Sequence, residues 1–128
     1  MEKITNILID TNIIIDALNG IDKYDEFLSE QDNLVTSTVC FSELIQGSKK
    51  KNQINKIIKT IESTFTIIEL NSEISILARK LIAEYSHKQG LDYPDSLIAA
   101  TCMVNGYQLA TLNTKHFKGI KGLKLVKI

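Results

Sequence analysis

The chain alternates short apolar runs with longer stretches of helical period, and that alternation leaves few architectures open. Ile4 to Ile9 is an almost continuous apolar run of strand length, the pattern of a parallel strand covered on both faces. Leu34 to Ser37, Phe65 to Leu70 and Tyr107 to Thr111 read as three further strands, and Leu123 to Ile128 as a candidate fifth. Helical segments separate them. Thr11 or Asn12 can cap a helix from Asn12 to about Leu18, stopped by Gly20, and a second short helix spans Asp22 to Glu30. Ser37 or Thr38 caps a helix running to Gly47, and Lys49 opens another through about Glu62, with Ile54, Ile57, Ile58 and Ile61 recurring at three and four. Asn71 or Ser72 caps a long helix to about Lys88, striped by Ile74, Leu77, Ala78, Leu81, Ile82 and Tyr85 and stopped by Gly90. Pro94 suits the first turn of a helix that runs to Val104, before Asn105-Gly106. Strands separated by helices predict an α/β fold: three α/β/α layers around a central parallel sheet of four or five strands.

A chain of 128 residues is the size of one domain, here 1–128. No apolar run approaches the roughly 18 residues that span a bilayer, so no membrane role is expected. The N-terminus lacks a basic region leading into a long apolar stretch, which predicts a cytoplasmic protein. Cys40 and Cys102 each sit in an apolar helical pattern and read as small buried residues, not as a disulfide or a zinc site. Net charge is zero, yet residues 1–48 carry −7 and residues 49–128 carry +7. That asymmetry fits an acidic pole beside a basic surface for a polyanion, although solvated charged faces alone would also produce it.

Three carboxylates stand against apolar surroundings: Asp10 closing Ile7-Leu8-Ile9, Glu43 within Phe41-Ser42-Glu43-Leu44-Ile45, and Asp95 before Leu97-Ile98-Ala99-Ala100. Ionised carboxylates are costly to bury unless paired or bound to a cation, so three at the edges of core segments suggest a shared metal site. A capping role would account for Asp95 alone, and exposure on a polar helix face for Glu43 alone; jointly they are more telling. Hard oxygen donors without nearby His or Cys partners select magnesium, with manganese as its substitute. Such an ion polarises a phosphoryl oxygen and yields hydroxide from bound water, which makes phosphodiester hydrolysis the natural reaction. Asn113 could supply a neutral oxygen or orient water, and Thr11 and Asn12 could position Asp10. As turn and cap residues all three also have ordinary structural readings.

Asp10-Thr11-Asn12 after an apolar strand, Glu43-Leu44-Ile45-Gln46-Gly47, Asp95-Ser96-Leu97-Ile98-Ala99-Ala100 and Thr111-Leu112-Asn113-Thr114-Lys115-His116-Phe117 occur in one order along the chain. Together they resemble the PIN-domain ribonucleases, specifically VapC-type toxins, over essentially the whole length. The resemblance implies a PIN-like α/β/α domain and magnesium-dependent endoribonuclease activity, with Asp10, Glu43 and Asp95 in the acidic positions. It also implies a cognate antitoxin that blocks the site, and homodimers. Many relatives carry an acid immediately before the phenylalanine that is Phe117 here, whereas this chain has His116.

Two acid-free lysine clusters, Lys49, Lys50, Lys51, Lys56 and Lys59, then Lys115, Lys118, Lys121, Lys124 and Lys127, are candidates for an RNA-facing surface. Lys115 and Lys118 lie nearest the proposed site; His116 could contact phosphate, and His87 reads as merely exposed. Two other functions fit in part. A phosphoacceptor signalling domain also places acids at the carboxyl edge of a parallel sheet, and a PIN domain could act only as an RNA- or partner-binding module.

Overall fold

Strand β1 (Ile7–Ile9) is buried throughout and sends its side chains alternately into two apolar layers, as the period of two along a strand requires. Leu8 joins Leu109, Ile74, Ala78, Leu81 and Ile98 on one face. Ile7 and Ile9 join Ile13, Ile14, Leu44, Ile61, Phe65 and Ala110 on the other. A strand apolar on both sides can only sit between two layers of helices, and the rest of the chain supplies them. The computed structural model describes residues 6–48 and 50–128. After β1 come α1 (Thr11–Leu18), α2 (Asp22–Ser29), β2 (Val35–Ser37), α3 (Thr38–Gln46), α4 (Lys51–Thr64), β3 (Thr66–Ile68), α5 (Ser72–Gln89), α6 (Tyr93–Asn105), β4 (Gln108–Ala110) and α7 (Thr114–Phe117).

The sheet is parallel, in the order β3-β2-β1-β4. Leu8 stands opposite Val35 on one side and Leu109 on the other, and Thr36 opposite Ile67. The chain builds β1, β2 and β3 outward in one direction, then returns across α5 and α6 to lay β4 on the opposite side of β1. The order therefore reverses between β1 and β4, and the carboxyl ends of two such neighbours form a crevice that helices cannot fill. Asp10 and Thr111 are the residues that follow those two strands.

Several boundaries differ from the sequence reading. Asp10, and neither Thr11 nor Asn12, caps α1: its backbone is extended, at φ −77° and ψ 158°, and its carboxylate accepts from Thr11 N–H. One residue thus ends the strand and starts the helix. The expected fifth strand shrinks to a single bridge between Leu125 and Leu109, flanked by Val126 N–H to Leu109 O and Leu109 N–H to Lys124 O, both 2.9 Å. Gly119 and Gly122, at φ 88° and 93°, turn the chain just before it, and interspersed lysines suit a blunted sheet edge. The helix expected from Lys49 starts at Lys51; Lys49 itself, like Ile4 and Thr5 of the first expected strand, lies outside the described residues. Helix α7 was not anticipated, because four residues show no periodicity. Buried Phe117 pins it to the core, and Gln89 Nε2 on α5 donates to His116 O at 2.6 Å and Lys118 O at 2.8 Å.

Candidate active site

Asp10 is 4% exposed, and its position between β1 and α1 places both carboxylate oxygens in the crevice wall. Oδ1 accepts from Thr11 N–H at 2.7 Å and faces the Cys40 thiol at 3.6 Å; Oδ2 accepts from the Thr111 hydroxyl at 2.7 Å. Thr111 in turn accepts from Asn113 N–H at 3.0 Å and lies 3.4 Å from Asn12 Nδ2, while Asn12 Oδ1 accepts from Leu112 N–H at 3.2 Å. The ends of β1 and β4 are thereby tied together through side chains as well as through Asp10 N–H to Ala110 O at 2.9 Å. A buried carboxylate fixed by three donors cannot rotate away, so its charge stays at one place.

Glu43 reaches the same place from the middle of α3, a helix started by the Ser37 hydroxyl accepting from Cys40 N–H at 3.1 Å. The Thr11 hydroxyl donates to Glu43 Oε1 at 2.8 Å. Burial lifts the Glu43 carboxyl above its ordinary value, the Thr11 hydrogen bond pulls it partly back, and the charges of Asp10 and Asp92 push it up again. Asp95 arrives from the first turn of α6, whose N-cap is Asp92, accepting from Asp95 N–H at 3.1 Å. Its side chain is 14% exposed and its pKa is pushed up to about 6, chiefly by burial, against which His116 works and with which Asp92 and Asp10 act. Asp95 Oδ2 lies 3.1 Å from His116 Nδ1, and the same nitrogen lies 2.8 Å from Asn113 Nδ2.

Of the three acids singled out from the sequence, Asp10 and Glu43 come within 4.8 Å of each other, whereas Asp95 stands outside that close pair, near enough for the Asp10 charge to add to burial in raising its pKa. Thr11, Asn12 and Asn113 bond around Asp10 and Glu43, and His116 joins Asp95. His116 contacts Asp95 directly, so its side chain turns toward the acids. Lys115 and Lys118 are exposed on and beside α7, next to that contact, whereas Lys50 and Lys56 line a different feature, a groove of about 620 Å³ between α1, α3 and α4. Sequence reasoning missed three contributors to the site and expected the fourth, Ser37, only as a helix cap. Asp92 adds a further negative charge, Thr111 holds Asp10, and Ser37 and Cys40 carry α3 against it. A carboxylate three residues before Asp95, on the same helical turn, was the one signal available for Asp92.

Ligand atoms of Asp10, Cys40 and Glu43 lie within 4.8 Å of one another. The thiol is a soft donor that a hard cation does not select, and in the absence of metal burial and then the Asp10 charge push Cys40 up to about 11. What remains is the close pair of hard oxygens from Asp10 and Glu43, with Asp95 farther out, and after burial the Asp10 charge raises both of the other carboxyls. Among the described residues no lysine or arginine pairs with any of them. That donor set fits a hard divalent cation, which would relieve the repulsion. A phosphoacceptor pocket would instead put a lysine beside the acids.

The PIN domain family profile matches residues 7–123. Ribonuclease VapC1 of Rickettsia felis is 33% identical, over 95% of this chain and 96% of the relative. Ribonuclease VapC1 of Methanocaldococcus jannaschii is 30% identical, over 94% of this chain and 87% of that protein. Among solved structures, a toxin-antitoxin complex from Klebsiella pneumoniae superposes with a TM-score of 0.80 at 32% identity, covering 95% of this chain and 99% of its counterpart. VapBC2 from Rickettsia felis, bound to a DNA fragment from its promoter, gives 0.78 at 28% identity, over 94% and 96%. The profile match, the sequence identity and the near-complete coverage place this chain in the PIN-domain family, among the VapC proteins.

Proposed function

We propose that this chain hydrolyses RNA phosphodiester bonds as a magnesium-dependent endoribonuclease and serves as the toxin of a type II toxin–antitoxin pair. The observation that carries the reading is the close approach of Asp10 and Glu43, with Asp95 near enough to feel the Asp10 charge, at the point where the sheet order reverses and with no lysine or arginine pairing with them among the described residues. When bound there, magnesium would neutralise phosphate charge and lower the pKa of a coordinated water. Asp10, Glu43 and Asp95 would hold it. Thr11 and Thr111 keep the first two carboxylates in place, and Lys115 and Lys118 attract the RNA backbone toward α7 with little regard for sequence. The chain's likeness to a VapC ribonuclease and to a chain of a toxin-antitoxin complex supports both halves of the proposal.

The purified chain should cut single-stranded RNA with magnesium or manganese and stop after chelation by EDTA. Cleavage that survives exhaustive chelation would refute the metal-dependent reading, since the acids alone would only repel the substrate. For the antitoxin, the groove between α1, α3 and α4 is the surface we assign. Ile15 and Leu18, 40% and 50% exposed, line it beside Lys50 and Lys56, and Ser48 Oγ within it has no partner among the described residues. Leu18→Asp should abolish inhibition by the protein encoded beside this chain while cleavage stays within about twofold, as expected when one apolar contact is removed from a docking groove. Equal inhibition of both proteins would move the antitoxin elsewhere.

A further inference from the structure

We propose that His116 is a positioning residue for Asp95: its Nδ1–H donates to Asp95 Oδ2 and holds that carboxylate in one orientation. The contact is 3.1 Å, and Asp95 Oδ1 has no hydrogen-bond partner among the described residues. One oxygen is thus anchored while the other stays available. A neutral imidazole carries a single proton, so Nδ1 cannot be bare toward an ionised carboxylate at this distance without two lone pairs facing each other. The proton on Nδ1 resolves this. Asn113 Nδ2 lies 2.8 Å from the same nitrogen, so the Nδ1–H form requires the Asn113 amide to be turned with its oxygen toward the ring as second acceptor.

The backbone around His116 is built to keep the ring in place. Gln89 of α5 donates to the carbonyls of His116 and Lys118, at 2.6 and 2.8 Å, on either side of buried Phe117. Lys121 N–H donates to the Tyr85 hydroxyl at 3.0 Å, fastening the next turn to the same helix. Three residues of the short α7 region are thereby fixed from outside it. His116 needs such support, since its side chain is 37% exposed and an unsupported ring would be free to leave the acid. Asp95 benefits directly, because Asp10 and Asp92 both repel it. A donor placed opposite them pins the carboxylate where repulsion would otherwise turn it outward. Oriented ligands of this kind typically lose about 10- to 100-fold in affinity or activity when their supporting partner is removed.

Two experiments test this on the full chain, and the first needs neither metal nor RNA. A long-range proton–nitrogen spectrum of the metal-free protein at pH 8 reads the tautomer of His116, with exposed His87 as the internal comparison. The expected result is the Nδ1–H form for His116, lost in Asp95→Ala. An Nε2–H form would overturn the proposal. The second measures manganese affinity by calorimetry for the wild type, His116→Ala, His116→Asn and His116→Gln, each checked for folding by circular dichroism. The alanine variant should bind about tenfold more weakly. Asparagine places a donor where Nδ1 lies and should recover most of the loss; glutamine places its donor near Nε2 and should not. Rescue by glutamine alone, or no loss in the alanine variant, would overturn it. The role of His116 rests on the ribonuclease reading only for its consequence in catalysis. If the wild type neither binds manganese nor cuts RNA, that reading fails, and the tautomer still decides the hydrogen bond.

Discussion

Asp10→Asn is expected to reduce RNA cleavage by on the order of 10³-fold or more, because it removes a charge worth several kcal/mol to a bound cation and to the transition state it serves. The same change should also destabilise the protein, and the hydrogen bonds say why. Oδ1 accepts from Thr11 N–H and Oδ2 from the Thr111 hydroxyl, both at 2.7 Å. An amide at this position has one NH2 to place. Set at Oδ1, it faces the Thr11 N–H donor to donor. Set at Oδ2, it faces a hydroxyl already accepting from Asn113 N–H at 3.0 Å, whose own proton then has no acceptor. Either way a buried donor goes unpaired, at a cost of about 1–3 kcal/mol, partly offset by relief of charge repulsion. Thermal melting in EDTA should therefore show a lower Tm than wild type. An unchanged rate of cleavage would remove Asp10 from the catalytic set, and a raised Tm would mean that repulsion outweighs the hydrogen-bond mismatch.

Asp95→Asn should be equally inactive and yet more stable than wild type when no metal is present. Its Oδ2 accepts only from His116, and an asparagine oxygen can take over that bond. The folded-state pKa of about 6 lies above the ordinary 3.8, owing first to burial and then to Asp92 and Asp10, with His116 opposing. The folded protein therefore holds this proton more tightly than the unfolded chain. Stability falls as pH rises from about 4 through about 6, and the loss persists at neutral pH. For a group that retains some contact with water, the shift converts to about 1–2 kcal/mol after solvent screening, or roughly 3–8 °C in Tm for a chain of this size. In EDTA, Asp95→Asn should melt higher than wild type at pH 7.5 and show a flatter dependence between pH 4 and 6. Adding manganese should stabilise the wild type and leave the variant behind. If the variant melts lower throughout, the carboxylate is stabilised by its surroundings, contrary to the repulsion inferred here.

The opposite stability effects expected at Asp10 and Asp95 come from one difference. Asp10 doubles as the cap of α1 and the knot between β1 and β4, while Asp95 hangs from α6 with one polar partner. Neither role could be read from the residues alone, since both sit beside apolar runs and carry the same charge.

The order of strands and helices was legible in the sequence because periods of two and near 3.6 write burial directly into a local pattern. Ser37, Asn71 and Gly90 act as the caps their chemistry suggests, and Asp10, Glu43 and Asp95 stood out because a carboxylate amid apolar neighbours needs a reason. The limits of local pattern appear wherever a feature depends on distant partners or on too few residues. Leu123 to Ile128 reads as a strand, yet whether it pairs depends on how Gly119 and Gly122 deliver it to β4. Four residues of α7 are too few to show a period. The hydrogen bond from Thr111 to Asp10 joins residues 101 apart, that between His116 and Asp95 residues 21 apart, and that from Thr11 to Glu43 residues 32 apart. Hydroxyls and imidazoles of this kind have no local signature, because the same Thr or His serves equally well facing water. Only the packing of β4 against β1, and of α3, α6 and α7 around their carboxyl ends, decides which of them meet the acids.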